Sequence, residues 1–555
     1  MKKAPIIMFF ICLTASAALA AGGGDSPIFY FLEGYGSAQA GRYDEALRYY
    51  TSALSLDPGS ATIKSELALL YLKKGELDKA EALLKESVQS DPKNRRALML
   101  LAGLYASRDR FDQARQLYEQ CIANDAEDTE AYLLLGSVDI AQKRYREAIA
   151  LYETVLGYDE DNTMALYYAG RLQGEMKAYD KARSYYERLL ALKPNFELAL
   201  LDMGTLSEIE GKLDAAVGYY TRAVQVNPGN KKAMARIAAI YVQKKDYDKA
   251  ISEFEKLSDL DREDLSIREN IGLLDLEKGK YEDAVREFSL ILASKPNNYR
   301  TRLYLAAALQ EEGDAKRAIE ELWKMDPKAE EFKEATRSLL ALYVKAGTID
   351  EGAARTEKLI AQSGGSLDLY VLLGGLFEEK GDFPKAIATL EKAKALEPGN
   401  VDLLYQLGML HEKKGDNAAA LTYMEEILKV EPDNPGALNF IGYTYAEKGT
   451  NLDQAEEMIK KALEKRPEDG YIRDSLAWVY YNKGEYQKAL EEILRAQELV
   501  ADDPVITEHL SDIYAKLGQY DKAIDSLRHS IDLEKKEDRK KLLDEKLRGL
   551  KQKGK

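Results

Sequence analysis

Tyr145-Arg146-Glu147-Ala148 returns 34 residues later as Tyr179-Asp180-Lys181-Ala182, then as Leu213-Asp214-Ala215-Ala216 and Tyr247-Asp248-Lys249-Ala250. The figure reaches back through Phe111 to Ala114 and Leu77 to Ala80 as far as Tyr43-Asp44-Glu45-Ala46. Forward it runs through Tyr281 to Ala284, then Ala318, Gly352, Ala386 and Ala420 at the same spacing. One step of 35 leads to Ala455, and 34 resumes for Ala489 and Ala523. The chain thus holds 15 repeats from Pro27 to about Glu537. A fixed period of this length marks a repeat architecture. It replaces the several domains that 555 residues would otherwise suggest at roughly 150 residues each.

Within a repeat the apolar residues fall at helical spacing in two stretches. In repeat two these are Ala61 to Lys74 and Leu77 to Ser90, parted by Gly75-Glu76 and closed by Asp91-Pro92. Proline cannot continue a helix and restricts the residue before it. The same stop recurs at Pro58, Pro194, Pro228, Pro296, Pro398, Pro432 and Pro467. Twelve residues before each repeat alanine stands a small residue, such as Gly34, Ala68, Gly136, Gly204 or Gly408. Across the insertion Gly442 stands thirteen before, and Leu340 breaks the rule. Small side chains there let facing helices approach, and a large one should cost about 1–3 kcal/mol by overpacking.

These residues place the chain in a known pattern. Tyr71, Tyr105, Tyr241, Tyr343, Tyr445, Tyr480 and Tyr514 share one first-helix position. Tyr50, Tyr118, Tyr152, Tyr186 and Tyr220 share one second-helix position. With the small residue, the alanine and the proline, the chain resembles the tetratricopeptide repeat (TPR) family over nearly its whole length. The resemblance implies an all-α, right-handed superhelical solenoid of about 15 helical hairpins with a concave groove. The physics agrees, because one hairpin cannot bury its apolar face while a stack can. Most tyrosines are then core. Cys121 falls in a second-helix packing slot and reads as a buried hydrophobe.

The amino-terminal stretch reads as an address. Met1-Lys2-Lys3, the apolar run Ile6 to Ala15, and Ala18-Leu19-Ala20 form a secretory signal peptide over residues 1–20. Cys12 lies inside the apolar run without the small residues of a lipobox. Cleavage after Ala20 would take the net charge from −16 to −18 and leave Cys121 as the only thiol. The expectation is a periplasmic or envelope-associated protein with no transmembrane segment after cleavage. The array divides into residues 27–324, an irregular or hinge region 325–366 around Pro327, Leu340 and Gly364-Gly365, and residues 367–537. A basic capping helix follows over 538–555, with Leu543, Leu547 and Leu550 on one face.

The last three repeats also resemble the carboxy-terminal portion of large exported TPR proteins of Gram-negative bacteria. The residues that carry this are Asn439 to Tyr443, Asn451 to Ala455, Asp469 to Trp478, Asp503 to Ile506 and Glu508 to Asp512. Ala477 and Ser511 stand where the usual form has Gly. That resemblance implies no agreed biochemical activity.

Projected onto the first helices, the inward slots of repeats one to five are largely apolar, among them Ile28, Tyr35, Met99, Met164 and Tyr167. In repeats 11 to 15 they turn acidic: Asp368, Glu378, Glu379, Asp402, Glu412, Glu447, Asp474, Glu508 and Asp512 face Lys413 and Lys516. The candidate groove site is Tyr405, Asn439, Tyr443, Tyr471, Asp474, Trp478, Tyr481, Glu508, His509 and Asp512. An acidic trough with aromatic platforms suits a basic or aromatic peptide or protein segment. Glycan binding on the same rings, in a polysaccharide-export accessory, is the alternative, and a structural spacer is the third. The paired Lys/Arg and Asn of a carboxylate clamp and the successive Asn of an asparagine ladder do not occur at their slots.

The net charge of −16 excludes a nucleic-acid partner of the usual basic kind. Two cysteines and three histidines exclude a disulfide scaffold and the common zinc sites. No phosphate-binding loop, zinc motif or nucleophile elbow is present. The reading is a non-enzymatic scaffold in the cell envelope, without cofactor, metal or catalytic residues.

Overall fold

The computed structural model describes residues 26–553. The signal-peptide reading lies outside them. The described residues form 31 α-helices and no strand, as 15 helical hairpins and one terminal helix, Glu537–Lys553. They divide into two compact bodies, one ending at Ile267 and one beginning at Arg268.

Each hairpin is set by a short local code. Pro92 ends one helix, and Asn94, two residues on, caps the next by accepting the backbone N–H of Ala97 at 3.0 Å. Asn230, Asn298, Asn400 and Asn434 repeat that cap two residues after Pro228, Pro296, Pro398 and Pro432. Such a side-chain cap stabilises a helix by about 1 kcal/mol. Between the two helices one residue must take a left-handed backbone. Gly75, Gly211 and Gly279 do so, while Lys143, Lys177 and Lys245 occupy the same turn with φ near +60°. Glycine alone reaches that region without steric cost.

The small first-helix residue is a seat for one side chain. A Cβ on Gly136 would meet the Tyr152 ring at 2.5 Å, and one on Gly204 would meet Tyr220 at 2.5 Å. Gly272 seats Phe288, Gly374 seats Leu390 and Gly408 seats Met424 in the same way. Tyr50, Tyr118, Tyr152, Tyr186 and Tyr220 are all at most 2% exposed. Cys121 is buried, and burial pushes its thiol up to about 11.

Repeat ten lacks this seat and packs differently. Here the large residue, Tyr343, is on the first helix and the small one, Gly352, is on the second, with its Cβ position 2.7 Å from the Tyr343 ring. The preceding second helix is cut to Ala315–Leu322, and Trp323 just beyond it donates its indole N–H to the Tyr343 hydroxyl at 2.9 Å. Leu340, the exception to the small-residue rule, lies instead beside Gly375 of the following repeat. Tyr343 and Gly352 keep the places of the first-helix tyrosine and the repeat alanine, while Leu340 replaces the usual small residue.

The terminal helix closes the C-terminal body. Leu543, Leu547 and Leu550 are buried against Ala523 and Leu527.

Candidate functional site

The inward slots of a repeat are the second, fifth, ninth and twelfth residues of its first helix. In repeat 14, Gly470–Asn482, these are Tyr471, Asp474, Trp478 and Tyr481. In repeat 15, Pro504–Lys516, they include Glu508 and Asp512, with His509 one place along.

At this end the side chains close on one another. Asp474 and His509 are both buried, and Nδ1 of His509 lies 2.7 Å from the Asp474 carboxylate. Burial pulls the His509 pKa down, but Asp474, Asp512 and Glu508 outweigh it and hold the imidazole above its ordinary value. Trp478 lies flat between two rings, 4.1 Å from His509 and 4.6 Å from Tyr481. Lys516 sits over Tyr481 at 5.8 Å. Burial, the Asp512 charge and Tyr486 push the Tyr481 hydroxyl up to about 12.

The terminal helix then covers the acidic slots. Lys546 Nζ reaches Asp512 at 2.6 Å and Glu508 at 2.8 Å, and Arg539 pairs with Glu508 as well. Burial pushes the Asp512 carboxyl up, and Lys546 opposes it. The expectation that these carboxylates face only Lys413 and Lys516 is therefore corrected. Glu508 and Asp512 are engaged by cations of the terminal helix, Asp474 is locked to His509, and Glu378 is paired with Lys413 at 2.6 Å. Tyr167, expected on the inner face of repeat five, is 5% exposed, its ring packed against Tyr186 and Phe196.

Upstream the slots stay open. Tyr405 is 38% exposed and Tyr471 56%. Tyr443 is half-buried, and burial together with Asp474, Glu447, Glu508 and Glu412 raises its hydroxyl pKa. Asp402, Glu412 and Glu447 are exposed. Burial and the neighbouring Glu447 push the Glu412 carboxyl up. The Asn439 amide oxygen is buried without a hydrogen-bond partner. The ten candidate residues thus fall into two sets: Asp474, Trp478, Tyr481, Glu508, His509 and Asp512 pack together, while Tyr405, Asn439, Tyr443 and Tyr471 line the uncovered stretch.

A cavity of about 650 Å³ lies beside Tyr405. Lys333 and Arg337 of repeat ten, Asp368 of repeat 11, Asp402 of repeat 12, and Gly436 and Arg466 of repeat 13 line it. Lys333 and Arg337 are not among the residues expected from the sequence, although the repeat frame reaches them: they stand 34 residues before Leu367 and Val371. Among the described residues there is no group of three or more potential metal-ligating side chains. No helix there is long and apolar enough to cross a membrane.

Models of the tetratricopeptide repeat match residues 37–104, 80–138, 139–203, 209–268, 377–442 and 411–478. A second tetratricopeptide repeat model matches 270–328 and 341–401, skipping the irregular turn into repeat ten. A model for anaphase-promoting complex, cyclosome, subunit 3 matches 448–530. No curated protein matches the chain. Among solved structures, it is similar to PilF of Pseudomonas aeruginosa at 21% identity, over 40% of this chain and 99% of that one, with a TM-score of 0.34. It is similar to the C-terminal part of a TPR protein from Cytophaga hutchinsonii at 19% identity, over 43% and 99%, with a TM-score of 0.40. It is also similar to the APC/C hetero-tetramer Cut9–Hcn1 at 15% identity, over 96% and 98%, with a TM-score of 0.33. With repeat models matching over more than half its length, the chain belongs to the tetratricopeptide repeat family, whose arrays are scaffolds for protein–protein interaction.

Proposed function

We propose that the chain is an exported scaffold of a bacterial envelope that holds extended segments of partner proteins on the first-helix face of repeats 11 to 14. The observation that carries this is the row of exposed Tyr405 and Tyr471, with half-buried Tyr443 between them, beside the exposed carboxylates of Asp402, Glu412 and Glu447. Aromatic faces and carboxylates together attract cationic and aromatic side chains. The terminal helix supports the reading, since a basic, leucine-bearing segment of the chain itself already lies on the next slots of that face. The signal-like sequence from Met1 to Ala20 supports the envelope location.

The test is crosslinking in cells of the tagged full chain, with mass spectrometry of what it captures, against Tyr405→Ala/Tyr471→Ala. A defined envelope protein captured by the wild type and lost by the variant is expected. Equal capture by both would remove the site. Sequencing of the mature amino terminus checks export. A start at Ala21 in the periplasmic fraction is expected, and Met1 retained on a cytosolic protein would contradict it.

A further inference from the structure

The cavity beside Tyr405 carries a charge order that the slots further along the face lack. Lys333 and Arg337 stand one turn apart on Phe332–Ala346, both exposed. Like charges at that spacing repel, and among the described residues no carboxylate forms an ion pair with either. Asp368 is the nearest acid of the next first helix. Burial pushes its carboxyl up, and Lys333 and Arg337 draw it back down. Asp402 lies one repeat further on, exposed and without an ion-pair partner among the described residues.

The floor between these charges is apolar and closely packed. A Cβ on Gly375 would come 2.9 Å from Leu340, and one on Gly436 would come 3.2 Å from the Tyr405 ring. Both glycines stand in inward slots, at the ninth place of repeat 11 and the second of repeat 13. Leu340 and the Tyr405 ring take the space of the missing side chains and close the floor.

A wholly basic segment would be repelled where it crosses Lys333 and Arg337, and a wholly acidic one where it crosses Asp368 and Asp402. We propose that this cavity recognises an extended protein segment of mixed charge, with an acidic side chain against Lys333 and Arg337 and a basic side chain against Asp368 and Asp402. Arg466, the third cation lining the cavity, is paired with Asp469 at 4.0 Å. The inference rests on the groove reading above and names the partner chemistry at its upstream end. Charge complementarity of this kind sets specificity and register more than total affinity.

The experiment is selection of a random dodecapeptide display library on three full-length proteins: wild type, Lys333→Glu/Arg337→Glu and Tyr405→Ala. The wild type is expected to enrich peptides with an acidic residue a few positions from a basic one. Fluorescence anisotropy of those peptides should show about tenfold weaker binding to the charge-reversed protein. Replacing the acidic residue by Lys in the peptide should restore it. Because both side chains are exposed, thermal melting of the variant should match the wild type. Lys333→Gln/Arg337→Gln, expected to lose several-fold, stands in if it does not. Wild-type peptides that are basic throughout, or binding indifferent to both pairs of substitutions, would overturn the inference and leave the groove reading standing if Tyr405→Ala still weakens them. No peptide enriched by the wild type would overturn both.

Discussion

The covered and open ends of the C-terminal first-helix face carry the same kinds of residue in the same slots and do different work. At the covered end, Asp474 is buried on His509, Trp478 lies between His509 and Tyr481, and Glu508 and Asp512 hold Lys546. At the open end, Tyr405 and Tyr471 are exposed, and Asp402, Glu412 and Glu447 have no such cover. An acidic or aromatic slot is therefore structural wherever the next element supplies its partner, and free to bind wherever none does. The family fold puts the residue on the face, and the neighbour decides its job.

The largest effect should come from breaking the covered end at its core. Asp474→Ala leaves His509 buried without its carboxylate, and removing one member of a buried pair costs about 3–5 kcal/mol. Urea unfolding should show that loss, with no equivalent from Asp402→Ala at the open end. The pair also makes a pH signature. His509 has a folded pKa above its unfolded value of about 6.5. Its contribution is fully present below about pH 6.5 and is lost as pH rises through the raised folded value. Stability of the wild type should therefore fall across that window, and Asp474→Ala should flatten the fall. An unchanged slope would mean that His509 is not charged in the fold.

Undocking the terminal helix comes next. Leu543 is 2% exposed, and Leu543→Ala should cost about 2–3 kcal/mol by transfer and cavity terms. Its melting curve should show the loss, and Trp478 fluorescence should report the altered end. Lys546→Glu should cost less, about 1 kcal/mol, because the lysine is partly exposed and its two ion pairs are screened by solvent. High salt should shrink the difference, whereas an effect independent of salt would point to packing instead. The smallest change in stability belongs to the open end. Tyr405→Ala should shift stability by no more than about 0.5 kcal/mol, since the ring is 38% exposed. A larger loss would place Tyr405 among the structural residues and erase the contrast between the ends.

The fold was legible because the period is. Fifteen returns of one figure specify two helices, their stops and their seats, and each stop and cap is local. The slots of the inner face were legible for the same reason. Their occupancy was not, because it depends on contacts about one repeat away in sequence, such as Asp474 with His509 at a separation of 35. One of these was within reach. Lys546 stands 34 residues after Asp512, so continuing the frame past repeat 15 places it in the next ninth slot. Lys333 and Arg337 were within reach as well, since they stand 34 residues before Leu367 and Val371 and repeat ten keeps the frame at Tyr343 and Gly352.

The most direct test of the account puts a photo-crosslinking benzoylphenylalanine at three places in the full chain, one at a time. Tyr405 and Tyr471 are on the open face, and Leu396, 54% exposed, ends a second helix. Irradiation in cells should give the same partner band from Tyr405 and Tyr471 and none from Leu396. Identical bands from all three positions, or none from the two tyrosines, would contradict the claim that the open end of the face is where this scaffold binds.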